Sequence, residues 1–208
     1  MVFSSSDASY QAAKVEVKGV LERIIDEAVI EESIDVVEFE RIISEKTGWT
    51  KEEIIQKENE GQTRSSLCEN DFLSSEQNNI INEIGTYFSK LSYISDNDVM
   101  YAEELCSSLP EEEKREIIQG VLVTKVTIDA LYELENEGTS RATGSQQMNK
   151  LGWAVCTLAV SSIGDVWSAM VIQSLIAAGA TTAGAGAVAG GVVLVGTYLL
   201  GKYACPKL

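Results

Sequence analysis

Pro110-Glu-Glu-Glu-Lys-Arg-Glu-Ile-Ile-Gln-Gly-Val-Leu-Val-Thr-Lys-Val-Thr-Ile-Asp-Ala-Leu-Tyr-Glu-Leu-Glu-Asn-Glu137 reads as one helix. Its apolar residues Ile117, Ile118, Val121, Leu122, Val126, Ile128, Leu131 and Leu134 recur at helical spacing. Pro110 falls in the first turn, where a missing N–H costs little, and Glu111 to Glu113 suit the positive end of the helix dipole. After Glu137 the pattern stops. Gly138-Thr-Ser-Arg-Ala-Thr-Gly-Ser-Gln-Gln147 has small polar residues, two glycines and no apolar period, so 138–149 reads as a linker and a candidate processing site.

Upstream of Pro110 the chain keeps the same helical character. Val17, Val20, Leu21, Ile24, Ala28 and Val29 form one stripe of a helix that starts at Ser6 or Asp7 and runs to about Glu31. Val36, Phe39, Ile42 and Ile43 mark a second helix over about 35–45, ended by Thr47-Gly48. Thr50-Lys-Glu-Glu53 has capping-box spacing and opens a short helix with Ile54 and Ile55. A polar loop over 60–71 follows. Ser74-Ser-Glu-Gln77 is a second capping signal, ahead of Ile80, Ile81, Ile84, Tyr87, Phe88 and Leu91. A shorter helix is expected over about 97–107. The expected fold class is all-α, with an acidic multi-helix bundle over 1–137.

Downstream of the linker the composition changes. Val166 to Gly201 contains no charged residue and is rich in glycine, alanine, valine and leucine. Two apolar stretches, about 151–178 and 185–203, flank Gly179-Ala-Thr-Thr-Ala-Gly184, so 150–208 reads as a hydrophobic helical hairpin. Each stretch has about the 18–20 residues that cross a bilayer. Gly186-Ala-Val-Ala-Gly190 has the spacing that lets helices approach closely in lipid, and Gly191, Gly196 and Gly201 extend the small-residue pattern. Trp153, Trp167 and Tyr198 are candidate interfacial anchors or ordinary core residues. Asp165 is the one acid of the segment and a candidate intramembrane ionisable group; it equally suits an exposed face after Gly164.

Charge divides along the same boundary. The net charge is -16. Residues 149–208 hold Lys150, Lys202 and Lys207 against Asp165, a net of +2, which leaves -18 on residues 1–148. So acidic a surface repels nucleic acid, and no basic patch exists to bind it. The chain has no histidine, the commonest general base and zinc ligand, and no nucleotide-binding or hydrolase motif. Neither an enzyme nor a cofactor is expected.

The four cysteines, Cys68, Cys106, Cys156 and Cys205, have no metal-ligand spacing. Cys156 and Cys205 have a mean position of 180.5, inside the glycine-bounded break. In an antiparallel hairpin such residues lie at the same end, so the pair suits a disulfide across the open end, or else two buried thiols. Cys68 and Cys106 are the remaining candidate pair. The start Met1-Val-Phe-Ser-Ser-Ser-Asp-Ala8 lacks the basic and apolar regions of a signal peptide. Either the chain is made without one or a leader has been removed; two candidate disulfides favour export and the second reading.

An acidic helical region ahead of a short Ala/Gly-rich apolar segment, with Leu151-Gly-Trp-Ala-Val-Cys156 at its start, resembles secreted bacterial toxin precursors of the sporulation-delaying-protein type. In that family the two cysteines of the C-terminal peptide lie close together; here they are far apart. The resemblance covers mainly 151–208. It implies an antibacterial, bacteriocin-like protein whose released peptide carries a disulfide and depolarises target membranes. The implied partners are the target bilayer, an immunity protein and further copies of the chain. Two other readings stay open: a helical interaction module with the hairpin as its buried core, and a helical head on a membrane anchor.

Overall fold

The computed structural model describes residues 5–30, 33–47, 73–88, 90–91 and 93–141. The described part is helical, as the sequence reading expects: α1 (Ala8–Arg23), α2 (Val36–Thr47), α3 (Ser75–Phe88), α4 (Asp96–Leu105) and α5 (Glu111–Arg141). The second capping signal and its expected helix, the proline-led start of α5 and the α4 region all form. The capping box at Thr50, the loop bearing Cys68, residues 142–149 of the expected linker and the hairpin 150–208 lie outside the described residues.

Local chemistry sets most helix starts. Asp7 is the N-cap of α1 through its backbone, with Gln11 N–H donating to its carbonyl at 3.0 Å, but its side chain makes no capping bond. At α2 the Asp35 carboxylate accepts from Val37 N–H and Glu38 N–H at 3.0 and 3.2 Å. At α3, Ser74 Oγ accepts from Gln77 N–H at 3.1 Å while Ser74 N–H donates to Gln77 Oε1 at 2.7 Å. This reciprocal box satisfies two of the donors that a helix start leaves open. Ser95 and Asp98 form the same box at α4.

Three boundaries differ from the sequence reading; the smallest difference is at α3, which ends at Phe88, short of Leu91. The first helix does not continue to Glu31. Beyond Arg23 it widens into a π-turn, Ile24–Ala28, which closes as Val29 N–H bonds Ile24 carbonyl oxygen. Val29–Ile30 then pairs antiparallel with Ser33–Ile34. The apolar run through Val29 and Ile30 mimics a longer helix, but the backbone is diverted into a short reversal, and Asp35 N–H bonds Ala28 carbonyl at 2.7 Å. At the other end, α5 runs four residues past Glu137 to Arg141. The helix therefore enters the expected linker, passing through Gly138.

α5 organises the core. Tyr10, Val17, Leu21, Ile24, Phe39, Ile42 and Ile43 from α1, the π-turn and α2 pack with Val126, Ala130, Leu131 and Leu134. Ile81, Ile84, Phe88, Ile94, Val99, Ala102 and Cys106 from α3, α4 and the connections beside them pack with Ile117, Val121 and Ile128. Burying each large aliphatic or aromatic side chain contributes about 1.5–3 kcal/mol before entropy is counted. Because two cores use two sides of α5, its middle is buried nearly all round. Thr124 and Thr127 are fully buried there, and each hydroxyl donates to the carbonyl four residues back, at Gly120 and Val123.

Candidate functional site

Lys125 lies between the two cores with no exposed surface. A buried ammonium is costly unless it is paired and hydrogen-bonded. Here Lys125 Nζ donates to the Ile94 carbonyl at 2.9 Å, to Asp129 Oδ2 at 3.0 Å and to Tyr93 Oη at 3.3 Å. Asp96 Oδ1 stands 3.7 Å away. The ammonium also lies 5.0 Å from the Tyr93 ring centre and 5.7 Å from that of Tyr10, within reach of cation–π attraction. Burial by itself pulls the lysine pKa down; the hydrogen bond and charge of Asp129, helped by Tyr93, more than offset it, and the pKa stands above the ordinary value.

This polar seam reaches four separate parts of the chain. Tyr10 Oη on α1 donates to Asp129 Oδ2 at 2.7 Å. Burial first, and then this bond to a carboxylate, push the tyrosine pKa well up. Ser5 N–H and Ser5 Oγ both donate to Asp96 Oδ2, at 2.9 and 3.0 Å, tying the start of the described chain to the start of α4. The neighbouring Asp98 accepts from Tyr87 Oη at 2.6 Å and from Ser95 N–H at 2.7 Å. Burial raises its carboxyl pKa, but the bonds from Ser95 and Tyr87 outweigh it and hold the group below its ordinary value.

Beside the seam a cleft of about 560 Å³ opens between α1 and α5, lined among others by Gln11, Lys14, Tyr93, Asp129, Tyr132 and Glu133. The Tyr93 and Tyr132 ring centres are 6.2 Å apart and tilted. Lys14 Nζ is 3.1 Å from Glu133 Oε2, and Lys18 Nζ is 3.4 Å from Glu133 Oε1 and 2.6 Å from Glu137 Oε1. Lys14 first, with Lys18 adding to it, holds the Glu133 carboxyl below its ordinary range. Asp129 Oδ1 is buried and accepts no hydrogen bond among the described residues. The arrangement can hold positive charge and hydrogen-bond donors.

Of the candidate site residues named from the sequence, only Cys106 falls in the described part. It is a free thiol with no exposed surface, and burial pushes it up to about 11, so it is a poor nucleophile. Its suggested partner Cys68 lies outside the described residues, as do Cys156, Cys205, Trp153, Asp165, Trp167, Gly179, Gly184, Gly186, Gly190, Gly191, Gly196, Tyr198 and Gly201. The sequence reading passed over Lys125 and Asp129. Their signal was there: a lysine inside Val121-Leu-Val-Thr-Lys-Val-Thr-Ile128, with an aspartate one helical turn on.

Among the described residues, the fold is predominantly helical and is built around a buried lysine–carboxylate–tyrosine network. No known protein family, curated protein or solved structure matches the chain.

Proposed function

We propose that this is a secreted antibacterial, bacteriocin-like toxin precursor, in which the acidic helical part carries a membrane-active hairpin, 150–208, to the bilayer of a target cell. The observation that carries the reading is the uncharged run Val166–Gly201 joined to a region of net charge -18. Such a run is stable in a bilayer or buried in protein, and the acidic carrier keeps it away from anionic surfaces until it is released.

The described architecture supports a division of labour. Both cores draw on residues between Tyr10 and Leu134, which fits a carrier with an interior of its own. No helix among the described residues is long and apolar enough to cross a membrane. In this reading Gly186 and Gly190 support close helix packing between inserted copies, the Cys156–Cys205 pair closes the hairpin, and an immunity protein shields the producing cell.

Dye release from vesicles tests the proposal. Peptide 149–208 is expected to empty vesicles of bacterial lipid composition, more strongly oxidised than reduced, and the full chain is expected to do so less. Inactivity of both forms, with a soluble full chain, would overturn the toxin reading and favour a hairpin that serves as core.

A further inference from the structure

Three donors on α1 meet three acids on α5 in a single register. Tyr10 Oη donates to Asp129 at 2.7 Å, Lys14 Nζ is 3.1 Å from Glu133, and Lys18 Nζ donates to Glu137 at 2.6 Å. The partners in each pair are 119 residues apart, so the two helices run in the same direction and a rung recurs at every helical turn. Lys18 also reaches Glu133 at 3.4 Å, which ties the second rung to the third. Ala130, Leu131 and Leu134 hold the same stretch of α5 on the first core. The last rung, at Glu137, stands one turn short of the helix end at Arg141.

This ladder bears on where the chain can be cut. A bond inside a helix is cut only after the helix opens locally, and cutting then follows the open population. Residues 138–141 belong to the segment that reads in sequence as a linker, yet they continue α5. We propose that the ladder is a proteolytic guard: it keeps α5 closed through Arg141, so that the cut freeing 150–208 falls beyond Arg141, and Lys18 on Glu137 sets that limit. The purpose of the cut rests on the toxin-precursor reading; its position rests on α1 and α5 alone.

The test is brief digestion of the full chain with subtilisin, a protease of broad specificity, with the new termini mapped by mass spectrometry. Cutting between Leu134 and Arg141 is expected to be at least about tenfold slower than cutting between Arg141 and Leu151. Lys18→Met removes the last rung and is expected to speed cutting between Leu134 and Arg141 about two- to fivefold, the factor by which such an ion pair favours the closed helix. Lys18→Arg is expected to restore protection. Lys114→Met breaks an ion pair to Glu103 near the other end of α5 and is expected to leave the cutting pattern unchanged. First cuts between Leu134 and Arg141 in the parent chain, no change with Lys18→Met, or an equal rise with Lys114→Met would overturn the proposal. No membrane enters the experiment, so a hairpin that fails to empty vesicles refutes the toxin reading and leaves the guard standing.

Discussion

Replacing Lys125 by Met removes one ammonium and keeps most of the stem that packs inside α5. The Ile94 carbonyl then loses a donor, Asp129 keeps only Tyr10 at Oδ2, and Asp96 keeps only Ser5. Lys125 has no exposed surface, and the Asp129 side chain is 12% exposed, so water cannot readily replace the lost partner. Breaking one side of a buried pair typically costs about 3–5 kcal/mol, a large share of the roughly 5–15 kcal/mol that holds a domain together. Denaturant unfolding of the full chain, followed by circular dichroism, is the assay. The double variant Lys125→Met with Asp129→Leu removes the uncompensated charge as well. It is expected to be more stable than the sum of the single losses by about 2 kcal/mol, less what Tyr10 loses as its hydroxyl goes without an acceptor. A loss below about 1 kcal/mol for Lys125→Met, or strictly additive variants, would refute the claim that the seam is a coupled buried network.

Stability should fall at both ends of the pH scale. Lys125 and Tyr10 have folded pKa values above their ordinary ones, so their contribution is complete below about pH 10 and is lost as pH rises through the folded values; Asp98 and Glu133 are lowered, so theirs is complete above about pH 4.5 and is lost as pH falls through the folded values. A stability curve measured from pH 3 to 11 that is flat above about pH 10 would count against the alkaline limb. Ser74→Ala deletes half of the α3 capping box and is expected to cost about 1 kcal/mol, read as a shift in the denaturation midpoint with an unchanged slope. Cys106 is expected to resist alkylation in the folded chain and to label on denaturation without any reductant, as peptide mass mapping would show; a need for reductant would mean that the thiol is held in a disulfide.

The helix starts were legible because their chemistry is local. Ser74 with Gln77 satisfies α3's first donors from within one turn, and at α5 Glu111–Glu113 place negative charge at the positive end of the helix dipole, directly after Pro110. The end of the first helix was not legible. Val29 continues the apolar stripe and Ile30 the apolar run, and their pairing with Ser33 and Ile34 turns the backbone aside. Gly138 misled in the opposite sense: a glycine weakens a helix by roughly 1 kcal/mol, which is too little to stop one thirty-one residues long.

Residue order alone determined that the described part of the chain is helical, that its first 148 residues are acidic and that Val166–Gly201 carries no charge, because periodicity and charge are properties of neighbours in sequence. Only the tertiary structure decided what Lys125 is. Its partners arrive from Ser5 by way of Asp96, from Tyr10, from Tyr93 and Ile94, and from Asp129 one turn away. A lysine among β-branched residues reads as a solvated interruption until α1, α4 and α5 close around it. What keeps the ammonium charged there is a set of oxygens and rings that no window of sequence contains.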